Sequence, residues 1–571
     1  MKTRYIVPLL LFCLFACMAC EDDKTEMPRL FRPSFIASSC FAEDNTITLA
    51  WRTSGEATSY TVELSQDATF QSEKLETQTV EHGKCVFTNL RYETKFYARV
   101  RANNESLAIT SNWTEMGSSI STLSRTIPKI LYAVEGSRIS ETSVEIKWMV
   151  SEKNPVDGLA IWEEGTTEER QISLENASAG QYTITGLTPR TTYYVALTNS
   201  AAPEGAEKYN QQRFTTAGMP ADAVVVEDGV DLMDKIKAGM TDASKQALVF
   251  QLKNGVDYYL TAGGEVAAKT GDIKLTKSIA LLANPGERPT LYIREGCFNV
   301  KPESGNMPDI EYFVVDNVNI KETWTDSKPS KGSKTRLLNI GKHDAGTDFT
   351  IDRFEITNSD IVLPSAVLMM SDASEGVTTI NHIRIDNCLV SGINTSAVSK
   401  QFGFIHAINK GSNVWNDVSV TNSTFYEFYI SPGVFGAPTA NVPIAAGNKV
   451  VISNCTFYNW GSNKDGKNTY RAVGNFSKLT APLNLSVSNC VFGSSESKVL
   501  DAGGINLDSK GNYCTSDFEK MSDAGLTLIS LDTDDASLFR NIEENDFTVI
   551  DAESVIYKSE YGDPRWITVL D

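Results

Sequence analysis

Between residues 313 and 492 the chain repeats one pattern of apolar and polar positions six times: apolar, variable, apolar, small, Asn, two variable, apolar. The first three copies are Phe313-Val-Val-Asp-Asn317-Val-Asn-Ile320, Phe354-Glu-Ile-Thr-Asn358-Ser-Asp-Ile361 and Ile383-Arg-Ile-Asp-Asn387-Cys-Leu-Val390. The others are Val418-Ser-Val-Thr-Asn422-Ser-Thr-Phe425, Val450-Val-Ile-Ser-Asn454-Cys-Thr-Phe457 and Leu485-Ser-Val-Ser-Asn489-Cys-Val-Phe492. The asparagines are 41, 29, 35, 32 and 35 residues apart. Alternation buries one face of a strand. Asn tolerates the left-handed backbone conformation and bonds its own backbone, so it marks the bend after each strand. The next apolar residue opens a second strand. A unit of this kind returning at this period describes one coil of a parallel β-helix, whereas tandem sandwiches repeat over a much longer span. The six asparagines should stack in one column, and Phe425, Phe457 and Phe492 in a core stack. Uneven spacing puts loops of different length between the strands, and such loops are where a scaffold carries function.

Upstream the period changes. Thr46-Ile-Thr-Leu-Ala-Trp51, Tyr60-Thr-Val-Glu-Leu64 and Phe96-Tyr-Ala-Arg-Val100 are short alternating strands with turn signals between them, as in an antiparallel sandwich. A second copy reads Ser143-Val-Glu-Ile-Lys-Trp148 and Gly186-Leu-Thr-Pro-Arg-Thr-Thr-Tyr193. Trp51 and Trp148 resemble the strand-B tryptophan of fibronectin type III domains, and Leu187-Thr-Pro189 with Tyr193 resembles their tyrosine corner. The first copy has Phe96 at that place and lacks the hydroxyl. The fold class is therefore all-β: two immunoglobulin-like sandwiches, 33–125 and 126–217, then a right-handed parallel β-helix over 222–571 of roughly ten coils of about 30 residues. Ala217-Gly-Met-Pro-Ala221 reads as a hinge. Val230, Met233 and Ile236, three apart, read as a short amphipathic helix that caps the first coil. Asn284-Pro-Gly-Glu-Arg-Pro289 reads as a turn between coils, and Asp534-Asp535 as loop.

Met1-Lys-Thr-Arg-Tyr5 is basic, and an apolar run follows from Ile6 to Ala19, too short to span a membrane. Residues 1–19 read as a secretion signal and 20–32 as a tether. A small residue before a cysteine resembles the bacterial lipobox. Both Cys17 and Cys20 fit; Cys20 is followed at once by Glu21-Asp22-Asp23, which resembles the export signal of Bacteroidetes surface lipoproteins, so lipidation is assigned to Cys20. The formal charge is −20, and loss of Lys2 and Arg4 with the signal takes it to −22. Such a chain does not bind nucleic acid by charge alone.

The joined sandwiches, β-helix and C-terminal phrases Ser537-Leu-Phe-Arg-Asn541 and Gly562-Asp-Pro-Arg-Trp566 resemble Bacteroidetes lipoproteins that couple fibronectin type III domains to a pectate-lyase-like β-helix. The resemblance implies an outer-membrane protein, lipid-anchored, facing outward, bound to a polysaccharide of which pectin is the first candidate and working beside other glycan-utilisation proteins. It does not fix activity. Hydrolase motifs of the polygalacturonase type are absent, and Gly403-Phe-Ile-His406 lacks the second glycine and the paired carboxylates. A pectate-type lyase needs a Lys or Arg base and carboxylates for calcium; Lys410 and Arg471 are the candidate bases, Asp344 and Asp372 the candidate calcium ligands. Binding without catalysis needs no cofactor, only aromatic faces with polar neighbours. Trp415, Trp460 and Tyr470, on long loops, are the expected glycan platforms, with a sugar chain running along the coil axis. A purely structural or adhesive role is the third reading. His82, His343, His382 and His406 share no metal-ligand spacing. Cys388, Cys455 and Cys490 recur directly after the repeat Asn, as a column of buried thiols or, for Cys455 and Cys490, a disulfide.

Overall fold

The computed structural model describes residues 29–72, 74–261, 270–322, 336–364, 367–372, 375–393, 403–407, 412–429, 433–436, 449–461, 470–476, 483–495, 497–501, 505–519 and 526–570. The chain divides into two compact units, Met1–Arg125 with Ser200–Glu207, and Thr126–Asn199 with Lys208–Asp571.

The first unit holds an antiparallel sandwich. Ser34–Phe35, Phe41–Glu43, Thr46–Arg52 and Lys84–Phe87 face the sheet built on Ser59–Ser65, Glu76–Val80 and Lys95–Asn104. Trp51, Tyr60, Phe87, Leu90 and Phe96 fill its core.

The second unit begins with a sandwich of the same kind, Ser143–Lys147 with Gln181–Thr185 against Gly158–Glu163, Glu169–Ser173, Thr192–Thr198 and Lys208–Thr215. Trp148, Leu187, Tyr193 and Phe214 are its core. The Tyr193 hydroxyl accepts from the Thr188 N–H at 3.1 Å, which closes the tyrosine corner.

The rest of the second unit is a parallel β-helix. Among the described residues its first sheet has ten strands, from Val224–Val226 to Ile505–Lys510; the second has ten, from Asp257–Tyr259 to Ile529–Ser530; the third has eight, from Gly271–Lys274 to Lys498–Asp501. The repeat is the first sheet, the bend and the second sheet. Asn317, Asn358, Asn387, Asn422, Asn454 and Asn489 all have φ between 50° and 58°. They lie in one column, because the residues before them pair in register from Asp316 through Thr357, Asp386, Thr421 and Ser453 to Ser488. The Asn387 amide donates to the Asn358 carbonyl oxygen at 2.8 Å. Inside, Phe425, Phe457 and Phe492 stack at 5.1 Å with planes 10° and 6° apart. Cys388, Cys455 and Cys490 are buried free thiols, so the disulfide alternative is not taken. Burial pushes the Cys388 thiol up to about 12.

The capping helix spans Leu232–Thr241, with Asp231 accepting from the Asp234 N–H. Val230 lies just before it and packs on the core. Two expectations need correction. Residues 217–221 are not a hinge: the Gly218 N–H donates to Asn284 Oδ1 at 2.9 Å, and Met219 packs on Val249, Ala280, Leu282 and Val314. A Cβ on Gly136 of the sandwich would collide with the Gly286 backbone of the coil turn, so docking needs a glycine there. Asp534 and Asp535 are not loop: Asp534 caps the short helix Asp535–Leu538, and Asp535 is buried. The tail after it packs Phe539, Phe547 and Ile556 against Tyr426 and Val491. Trp566 Nε1–H donates to Thr424 Oγ1 at 2.7 Å.

Candidate functional site

The three aromatic platforms are corrected by their burial. Trp460 is 0% exposed, Trp415 2% and Tyr470 4%, all in the β-helix core. Trp460 Nε1–H donates to the Lys498 carbonyl at 2.8 Å, and its ring meets Phe492 and Phe518. Trp415 lies in the strand Ser412–Thr421, level with Ile380. The first-sheet strands extend three residues before the repeat, and Ile351, Ile380 and Trp415 hold that inner position. The spacing was visible as an apolar residue three before Phe354, Ile383 and Val418. Trp460 sits three after Phe457 as the buried Phe428 sits three after Phe425.

Among the described members of the lyase set, Asp372 and Arg471 do not converge. Asp344 Oδ2 accepts from the Ser304 N–H at 2.9 Å. Asp372 directly follows the third-sheet strand Val367–Ser371, whereas Arg471 opens the strand Arg471–Asn475. Gly474 is level with Met369 through Phe435 and Ile405. Arg471 therefore stands three residues before that level and Asp372 three after it, roughly 20 Å apart along the strands. Arg471 is clamped by Asp501, whose carboxyl is held below its usual range: burial opposes this, and Lys498 and Arg471 outweigh it. Lys410, Cys17 and Cys20 lie outside the described residues. Among the described residues no three His, Cys, Asp or Glu side chains converge on a metal-holding point. His406 is buried and pushed down to about 3 by burial and by Arg336, so it is neutral.

What the fold does assemble is the outer face of the first sheet. One residue per coil stands in register along it: Tyr312, Arg353, His382, Asp417, Lys449, Asn484 and Asn506. Their neighbours Phe313, Phe354, Ile383, Val418, Val450 and Leu485 point into the core and Leu507 packs against it, so these seven point out. At one strand spacing per coil the row is roughly 29 Å long. Beside it Asn416 donates to Asn381 and Asn381 to Asp352, and within it Asn506 donates to Asn484, at 2.8 to 3.0 Å.

The second sandwich walls the first end of this face. A cleft of about 410 Å³ lies between them, lined by Arg190, Thr192, Arg213 and Thr215 from the sandwich and Tyr312, Arg353, Glu355 and Arg384 from the helix. It continues into a space of about 540 Å³ that shares Arg190, Arg213 and Asp316 and follows the asparagine column. At the far end a third hollow of about 390 Å³ is lined by Lys449, Asn484, Ser486, Asn506 and Asp508.

Two aspartates hold the wall in place. Asp316 accepts from Thr357 at 2.7 Å and Asn358 at 2.8 Å, and Arg190 reaches it at 3.4 Å. Two coils on, Asp386 accepts from Thr421 at 2.7 Å and Asn422 at 2.8 Å, and binds Arg213 at 2.9 Å and Arg384 at 3.0 Å. The Asp386 side chain is 2% exposed. Burial opposes its charge, yet the two arginines hold its carboxyl below the ordinary value. Glu164 of the sandwich bonds Arg213 at 2.8 Å and Arg384 at 3.2 Å and is lowered in the same way, against burial. Reading the chain alone missed this pair. The signal was present: the position before the repeat Asn is Asp in two copies and Thr or Ser in the other four.

A family model described as a domain of unknown function, DUF5123, matches residues 450–566. That span covers the last coils and the returning tail. Among curated proteins nothing matches the chain. Solved structures similar to it include the following two. One is the FN1–FN3 domains of chicken CNTN1, at 16% identity and a TM-score of 0.15, covering 34% of this chain and 68% of that one. The other is the fn3 domain of the human collagen alpha-1(XX) chain, at 16% identity and a TM-score of 0.15, covering 18% of this chain and 94% of that one. The sandwich assignment itself rests on strand order and on the Tyr193 hydroxyl.

Proposed function

We propose that the protein is a surface lipoprotein, anchored at Cys20, that holds a polysaccharide without cleaving it. The observation that carries this reading is the row from Tyr312 to Asn506: a polar face with one outward side chain per coil, walled at one end by a docked sandwich. Sugar residues in an extended chain recur about every 5 Å, close to the spacing between strands. A chain laid along the coil axis therefore meets the same kind of contact at each coil. Tyr312, half-buried with the Arg353 guanidinium 5.3 Å over its ring, supplies a hydroxyl and a ring edge, and Arg353, Asp417, Lys449 and the two asparagines supply planar or charged groups for hydroxyls. The axial direction is the one expected from the repeat; the face differs from the loops that carry Trp460 and Tyr470. Separation of Asp372 from Arg471 supports binding over elimination.

The test is an affinity-gel and calorimetry screen of the mature chain against plant and host glycans, with the same samples read in the ultraviolet for unsaturated products. Retention without product, weakened about tenfold by Tyr312→Ala with Arg353→Ala, is expected. Unsaturated product released in the presence of calcium would replace this reading with the lyase.

A further inference from the structure

We propose that this face selects a neutral glycan and rejects polyuronates, an assignment that rests on the glycan-holding reading above. Its arginines are already matched by carboxylates within the protein. The Arg353 guanidinium lies 3.7 Å from Glu355, and His382 Nδ1 3.4 Å from Asp417. Arg384 is shared by Glu164 and Asp386. Lys449 stands in register between Asp417 and Asn484. Arg353 and Lys449 therefore stand three coils apart with Asp417 between them, and no two successive coils of the row present an uncompensated Arg or Lys.

A polyuronate carries one carboxylate per residue. Bound along the axis at one residue per coil, it needs a cation at each successive coil. Here it meets Glu355 beside Arg353, then Asp417, then Asp508 at the far end. The chain as a whole carries a formal charge of −20, so the long-range field opposes a polyanion as well. A neutral sugar uses both signs. Its hydroxyls donate to the carboxylates and accept from guanidinium and ammonium groups, and these charge-assisted bonds are the strong ones. The amide pair Asn484–Asn506 offers a donor and an acceptor in one plane.

The experiment uses the full mature chain on affinity gels containing soluble galactan, arabinan or mannan, and in parallel polygalacturonate or alginate. Salt is raised from about 0.05 M to about 0.5 M, which screens exposed charge pairs. The expected result is retention on at least one neutral glycan, changed less than about twofold by salt and weakened about tenfold by Asp417→Ala with Arg353→Ala. Both positions are solvent-facing, and an unchanged melting curve checks that the variant is folded. Retention on polyuronate alone, abolished by salt, overturns the neutral assignment and leaves glycan holding intact. Neutral retention that the double variant does not weaken overturns the row as the site. No retention on any glycan overturns the reading beneath both.

Discussion

The two sandwiches share a fold, a core tryptophan and a turn, yet differ in the two side chains that matter for the site. Leu90 and Leu187 open the same turn; three residues on, Glu93 and Arg190 both sit at positive φ, 48° and 53°. Thr122 and Thr216 close it alike, each taking the N–H of Thr94 or Thr191 on its hydroxyl. Counting back from those threonines, Arg213 of the second sandwich matches Ser119 of the first. The second sandwich therefore carries two arginines where the first has Glu and Ser. Asp316 and Asp386 are the partners of those arginines on the β-helix. Docking is thus written in two pairs of side chains laid on a common scaffold, and the cleft exists because of them.

The largest expected effect comes from the buried partner. Asp386→Ala removes the more deeply buried of the two carboxylates that Arg213 and Arg384 share, leaving them only Glu164, and should cost the second unit about 3 kcal/mol in denaturant unfolding. Glu63→Ala in the first sandwich removes a single partner of Arg99 at 2.6 Å, and should cost that unit about 1.5 kcal/mol. Equal costs would mean that Asp386 does no more than an ordinary single-pair carboxylate.

A titration sharpens the same point. The folded pKa values of Asp386 and Glu164 are depressed below their unfolded values, so the stability they contribute is present above the unfolded carboxylate range and lost as pH falls through the lower folded values. The stability gap between wild type and Asp386→Asn should be widest near neutral pH and shrink below about pH 4. A gap independent of pH would show that the charge of Asp386 is not what holds the arginines.

The smallest effect is an exchange. Arg190→Glu, which copies the first sandwich, should cost the second unit about 1 kcal/mol, because the Arg190–Asp316 pair is partly exposed and 3.4 Å long. Glu93→Arg, the reverse change, should move the first unit by less than about 0.5 kcal/mol. Melting of the two variants against wild type measures both.

Much of the fold was legible because its signals are local. An Asn that must turn left-handed, a Phe that must stack on the Phe one coil away and a Tyr with a turn to brace each leave a fixed spacing in the chain. The site was less legible because it depends on which face a residue meets after coiling. Trp415 and Trp460 looked like loop aromatics, yet each continues an inner column that starts in the repeat. Arg471 and Asp372 were paired as a candidate base and calcium ligand, but Arg471 opens its third-sheet strand and Asp372 follows the end of another. Arg190 and Arg213 carried no signal until the sandwich met the helix, since their partners are 126 and 173 positions away in sequence.

Hydroxyl-radical footprinting with the retained glycan tests the central claim most directly, because the β-helix carries reactive rings on two outer faces. Tyr312 and His382 stand on the outer face of the first sheet, and Tyr259 and Tyr292, stacked at 4.8 Å, on that of the second. The account predicts that glycan protects Tyr312 and His382 and leaves Tyr259 and Tyr292 as reactive as before. Protection of Tyr259 and Tyr292 with Tyr312 and His382 unchanged would contradict it.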